Sequence, residues 1–185
     1  RERGHRTDMI VVKFGGTSVG DAAAIERATE IVRGRLARRP LVVVSALAGA
    51  TNALLAIAEQ AGKGQLIGAL RGVEALRERH LAETAALLGE DGAGLEVASD
   101  LSATFDELAS PAEALSVLGH VTPRSLDAIA AMGERLSSEL VVAVLCAREV
   151  PAALINASDV MIPDDHLTRA QPQAELIADP AQPII

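Results

Sequence analysis

Two mostly apolar, strand-like runs, residues 9–14 and 41–46, bracket a stretch with helical spacing, and that order constrains the fold more than any other feature. Continuous apolar runs of this length fit strands of a parallel sheet buried on both faces. Between them, from Asp21 to about Leu36, the residues Ile25, Ala28, Val32 and Leu36 fall on one helical stripe, and Pro40 marks the return to the sheet. A strand, a helix and a second strand in this order make one right-handed crossover unit. The expected class is therefore α/β, with a mostly parallel sheet sandwiched by helices.

The junction after the first run reads Val11-Val12-Lys13-Phe14-Gly15-Gly16-Thr17-Ser18-Val19-Gly20. Adjacent glycines let the backbone turn tightly and bring N–H groups close to a ligand, because no Cβ intervenes. The helix expected from about Asp21 would add the positive end of its dipole, and Lys13 adds a full charge. Strand, lysine, glycine turn and helix together suggest a phosphate site. Gly15 to Gly20 fits the glycine spacing of a P-loop, yet Asp21 and Ala22 stand where that motif needs Lys and Ser/Thr. The G-x-G-x-x-G dinucleotide fingerprint is absent as well. The plain alternative is a tight strand-to-helix turn beside a solvated lysine.

Composition narrows the function classes. Apolar residues make up 49% of the 185 residues, but aromatics only 1%, with neither Trp nor Tyr. The core must come from Ala, Leu, Val and Ile, and single-stranded nucleic acid would find few stacking platforms. A net charge of −8 argues further against a nucleic-acid partner, since phosphate backbones need clustered Lys and Arg. No apolar run approaches the roughly 20 residues that span a bilayer. Lys13 and the glycine turn interrupt the early apolar stretch, which argues against a signal peptide, so the expected compartment is the cytoplasm. The single cysteine, Cys146, lies in an apolar stretch and is expected to be inert core packing.

Further along, helical patterns run from about Asn52 to Leu118, broken at Gly62-Lys63-Gly64 and at Gly89-Glu90-Asp91-Gly92. Lys63 lacks a preceding strand, so its glycines read as a helix-to-helix turn. Thr122-Pro123 is a good helix start, with a capping hydroxyl and a proline in the first turn. That helix is expected to reach about Arg148. Ala152 to Asn156 reads as a strand and Val160 to Pro163 as a short one. Residues 1–8 read as a disordered leader.

The string Lys13-Phe14-Gly15-Gly16-Thr17-Ser18-Val19-Gly20 resembles the N-terminal signature of aspartate kinases, in the amino-acid kinase superfamily. Two later segments resemble the same family in the same order: Val42-Val43-Val44-Ser45-Ala46-Leu47-Ala48-Gly49-Ala50-Thr51-Asn52, and Thr122-Pro123-Arg124-Ser125 followed by Met132-Gly133-Glu134-Arg135-Leu136-Ser137. The resemblance implies an amino-acid kinase (carbamate kinase-like) fold. Residues 9–185 would be the N-terminal part of its catalytic domain, truncated before the part holding most of the nucleotide site and before the regulatory domains.

What the resemblance implies chemically is ATP-dependent phosphorylation of the L-aspartate side chain to 4-phospho-L-aspartate, the entry to lysine, threonine and methionine synthesis. Lys13 would offset charge on the transferring phosphoryl group, and the N–H groups of Phe14, Gly15 and Gly16 would cradle phosphates. Thr51 would contact the substrate with Ser45 as its companion, since hydroxyls serve both carboxylates and ammonium groups. Glu134 would hold the α-ammonium of aspartate. Taken without the resemblance, Thr51 could equally cap the following helix, and Glu134 beside Arg135 could be a solvated face residue.

Mg2+ would travel with ATP, held mainly by phosphates. No protein metal site is expected. Asp159, Asp164 and Asp165 could suggest one, but the family's Phe-Gly after paired aspartates is here His166-Leu167-Thr168, which weakens any role for them. His5, His80, His120 and His166 lack metal-ligand spacing and read as surface or packing residues. A homo-oligomer is implied by resemblance alone. The competing readings are a non-catalytic binding or interaction module that keeps the fold, and a kinase of the same fold acting on another carboxylate.

Overall fold

The computed structural model describes residues 9–157. Strand β1 (Val11–Phe14) pairs in parallel with β2 (Leu41–Val44), with Val11 opposite Leu41, Lys13 opposite Val43 and Phe14 opposite Val44. A 3-10 turn over Gly16–Val19 follows β1 and leads into helix α1 (Ala22–Arg33). The α1 start is set by Asp21, whose side chain accepts the Ala24 N–H at 2.7 Å. Ile25, Ala28 and Val32 are buried as their spacing requires, and Leu36 packs from a second 3-10 turn at the helix end.

Four longer helices complete the described chain: α2 (Ala50–Gly62), α3 (Leu66–Leu88), α4 (Gly92–Leu118) and α5 (Pro123–Ala147). Lys63 and Gly64 form the turn between α2 and α3, and the glycines at 89 and 92 flank the turn between α3 and α4. Thr122 caps α5 in a reciprocal box with Ser125, and Pro123 occupies the first turn. The core lies among these helices and the inner side of the sheet. Leu54, Leu101, Phe105, Leu108, Leu136 and Leu140 are fully enclosed there. Helix α4 continues through Pro111, with Leu108 and Ala112 buried on either side. Packing on that face offsets the roughly 3 kcal/mol penalty of an interior proline.

Three expectations change. Among the described residues the strands are covered on one side: Val12, Phe14, Val42 and Val44 face the core, while Val11 (66% exposed), Leu41 (41%) and Val43 (41%) stand outward with Lys13. An apolar run cannot distinguish this from burial on both faces, because strand residues alternate sides whatever their chemistry. Residues 152–156 form no strand among the described residues. Leu154 and Ile155 are exposed there. Cys146 is also exposed, its thiol 3.5 Å from the Ala152 carbonyl oxygen, so it is not core packing. It falls on the α5 face turned away from buried Val144 and Leu145. The leader at 1–8, the strand at Val160 to Pro163, and Asp159, Asp164, Asp165, His5 and His166 lie outside the described residues. Among the described residues, no helix is long and apolar enough to cross a membrane.

Candidate functional site

Two loops leave the same ends of the parallel strands, the edge where open α/β sheets bind ligands. The first loop runs from Gly15 to Gly20. Its backbone folds back through the Ser18 N–H to the Gly15 carbonyl at 2.8 Å. The N–H groups of Gly15 and Gly16 donate to no backbone acceptor among the described residues, and both positions are partly exposed. Lys13 is exposed on the outer face of β1 and has no ion-pair partner among the described residues. Phe14 points the other way, into the core.

The first helix does not offer its N-terminus to a ligand, contrary to the expectation from sequence. The Ala22 N–H donates to the Glu83 carboxylate at 2.6 Å, and the Ala24 N–H to Asp21. Two carboxylates already occupy the positive end of the α1 dipole, and a further anion there would meet like charge. The N–H groups of the glycine turn are the ones left open.

The second loop spans Ser45 to Gly49. The Ser45 N–H extends the ladder by donating to the Phe14 carbonyl at 3.0 Å. A Cβ on Gly16 would come within 3.1 Å of the Ala46 carbonyl oxygen, so a glycine there lets the two loops touch. Gly49 takes a left-handed φ of 79° and starts α2. Thr51 therefore sits inside the first turn, exposed, and does not cap the helix.

Helix α5 reaches this edge from below. The Ser137 hydroxyl donates to the Ser45 carbonyl at 2.8 Å. Gly133 packs so closely that an added Cβ would stand 2.8 Å from Leu54 Cδ1 and 3.0 Å from Ala46 Cβ. Glu134 lies between these two contacts in sequence. It is exposed, and its carboxylate has no partner among the described residues. Arg135 does not neutralise it, because its guanidinium pairs with Glu107 at 2.6 Å and Glu139 at 2.9 Å. Those two carboxylates hold Arg135 above the ordinary arginine pKa.

The structure thus places Lys13, Gly15, Gly16 and Ser45 at the same ends of the paired strands and ties the α5 turn that carries Glu134 to Ser45 through Ser137, with Thr51 on the helix that the second loop starts. It also shows two residues that sequence reasoning missed. Arg79 of α3 donates to the Ala48 carbonyl at 2.6 Å and to the Gly20 carbonyl at 3.1 Å, and Glu83 lies one turn further on. A charged pair on a long helix reads as a solvated face, and only the tertiary fold reveals these contacts.

Other polar groups lie apart. His80 is fully buried in α3, its Nδ1 donating to the Leu76 carbonyl at 2.8 Å and its ring edge-on to Phe105 at 5.2 Å. Its Nε2 has no partner, and burial lowers its pKa. Lys63 pairs with Glu59 at 2.6 Å in the expected helix-to-helix turn, and holds the Glu59 carboxyl below its usual range. A hollow of about 450 Å³ between α4 and α5, lined by Asp100, Thr104, Glu107, Arg135 and Glu139, includes no residue of the two loops. Among the described residues, no group of three or more His, Cys, Asp or Glu is placed to hold a metal.

The model of the amino acid kinase family matches residues 8–184. The chain is 31% identical over 173 residues to lysine-sensitive aspartokinase 3 of Escherichia coli K12, covering 94% of this chain and 36% of that protein. It is 34% identical over 171 residues to an aspartokinase of Chlamydia trachomatis, covering 92% and 36%. A crystal structure of E. coli aspartokinase III in complex with aspartate and ADP superposes with a TM-score of 0.81 at 31% identity, covering 95% of this chain and 37% of that one. The chain thus spans just over a third of the length of these relatives.

Proposed function

Because the chain belongs to the amino acid kinase family, we propose that it forms the acceptor side and part of the phosphate side of an aspartate kinase site. The observation that carries this reading is an exposed ammonium, Lys13, and an exposed carboxylate, Glu134, neither with an ion-pair partner among the described residues, on elements joined by the Phe14–Ser45 and Ser45–Ser137 hydrogen bonds. An acceptor with an α-ammonium and a carboxylate, meeting a phosphate, needs one charge of each sign. The likeness to aspartokinases, one of them solved with aspartate and ADP, supports the choice of acceptor.

In this reading Glu134 binds the α-ammonium through charge-assisted hydrogen bonds. The hydroxyls of Ser45 and Thr51 orient the substrate carboxylates. A β-carboxylate oxygen of aspartate attacks the γ-phosphorus of ATP, and the bond from that phosphorus to the ADP oxygen breaks, giving 4-phospho-L-aspartate and ADP. Lys13 and the N–H groups of Phe14 to Gly16 offset the charge on the phosphoryl oxygens, where positioning and electrostatics do most of the catalysis. Phe14 contributes through its backbone alone, since its side chain is buried. Mg2+ arrives on the nucleotide phosphates, and we assign it no residue. Cytoplasmic residence and self-association belong to the same reading and rest on the family resemblance.

The test is aspartate-dependent acyl-phosphate formation by the purified chain with Mg-ATP, trapped as the hydroxamate. Product that requires L-aspartate and disappears in Lys13→Ala supports the reading. Product formed with L-glutamate or N-acetyl-L-glutamate in place of aspartate would assign a different acceptor. A chain that binds neither aspartate nor nucleotide would contradict it.

A further inference from the structure

We infer that Arg79 is a positioning residue that locks the two ligand loops into one unit, resting on the reading of those loops as phosphate and acceptor sides. Its guanidinium is a fork, and the two prongs go to different loops: Nη1 to the Ala48 carbonyl at 2.6 Å and Nη2 to the Gly20 carbonyl at 3.1 Å. The planar, pre-organised fork suits two fixed acceptors better than a flexible lysine head does. Half-buried against both loops, it makes hydrogen bonds to charge, which are stronger than neutral ones.

Beyond the Phe14–Ser45 bond and the approach of Gly16 to Ala46, Arg79 adds the link between the far ends of the loops. A Cβ on Gly20 would lie 3.0 Å from Ala48 Cβ, so they meet there as two small residues in plain contact. Glu83, one turn along the same face of α3, takes the Ala22 N–H and fixes the exit of the first loop. Helix α3 therefore grips the first loop at Gly20 and Ala22 and the second at Ala48. Phosphoryl transfer requires donor and acceptor to be held in line, and small misplacement is costly. A clamp that makes the two loops move together supplies that alignment from outside the site.

Amide hydrogen exchange on the full chain tests the clamp without needing a ligand. In Arg79→Ala the Ser18 amide of the first loop and the Ala50 amide, which closes the second loop onto the Leu47 carbonyl, exchange faster together by about tenfold, the scale of a lost charge-assisted bond. The Gly119 amide at the far end of α4 keeps its rate. Arg79→Lys recovers part of the protection. Acceleration in one loop alone, in neither, or by an equal factor at Gly119 would overturn the proposal. Titration with L-aspartate then tests the consequence: affinity falls about tenfold in Arg79→Ala and partly returns in Arg79→Lys, by the same accounting. Unchanged affinity would overturn the positioning role. A wild-type chain that binds no aspartate would instead defeat the functional reading, leaving the clamp to be judged by exchange.

Discussion

The Ser137 hydroxyl donates to the Ser45 carbonyl oxygen at 2.8 Å, joining α5 to the end of β2 across the site edge. One turn earlier, the Glu134 carbonyl accepts from Ser137 and Ser138. The bond therefore sets how the turn carrying Glu134 sits against the second loop. Ser137→Ala leaves a partly buried carbonyl short of a partner and costs about 1 kcal/mol. The expected result is a lower denaturation midpoint with weaker aspartate binding. A variant with wild-type stability and affinity would show the bond to be incidental.

Gly133 tests how tightly α5 packs against α2. In Gly133→Ala the new methyl meets Leu54 and Ala46, both buried, and Ala46 has no rotamer to escape into. Overpacking of this kind costs about 1–3 kcal/mol. Adding Leu54→Ala relieves the closest contact, so the double variant should lose less than the sum of the two singles. Urea denaturation of the four proteins measures this, and strict additivity would contradict the contact.

His80 makes stability depend on pH. Burial lowers its folded pKa below the ordinary 6.5, so as pH falls through about 6.5 the unfolded chain takes up a proton that the folded chain refuses. Stability is unaffected by this group above that pH. Below it, stability drops by up to about 1.4 kcal/mol per pH unit until the lowered folded pKa is reached. The neutral ring keeps its Leu76 hydrogen bond and its Phe105 contact, while a charged Nε2 would find no acceptor. Denaturation midpoints of the wild type and His80→Gln across pH 5 to 8 should diverge in slope, with the variant flatter below about 6.5. Parallel curves would place the acid sensitivity elsewhere.

Lys13 separates binding from folding. Its side chain is exposed and unpaired among the described residues, so Lys13→Ala should change stability by less than about 0.5 kcal/mol. ADP binding should weaken by tenfold or more, because a charge facing phosphate is worth about 1.5–3 kcal/mol. Thermal melts and an ADP titration read the two effects independently.

Much of this fold was legible in the sequence because its signals are local. The stripe of Ile25, Ala28 and Val32 fixed α1, and Thr122-Pro123 marked the start of α5. The glycine pairs at 62–64 and 89–92 placed the helix breaks. What failed depended on partners distant in the chain. Ala152 to Asn156 has a strand's composition but forms no strand among the described residues. Cys146 has apolar neighbours in sequence, yet helical geometry turns it outward. Lys13, Ser45, Thr51 and Glu134 could be named as candidates from the sequence, whereas the closure of α1 by Glu83 and the reach of Arg79 into both loops arise only from how α3 packs.

The most direct test of the account is an amide-resolved titration of the chain, first with ADP and then with L-aspartate. ADP should shift Lys13 to Gly16 and leave the first turn of α1 at Ala22 to Ala24 unmoved, since carboxylates already hold those N–H groups. Aspartate should shift Ser45, Thr51 and Glu134, and Glu134→Gln should abolish that response while sparing the response to ADP. Nucleotide shifts centred on the α1 start, or an aspartate response indifferent to Glu134, would contradict the site described.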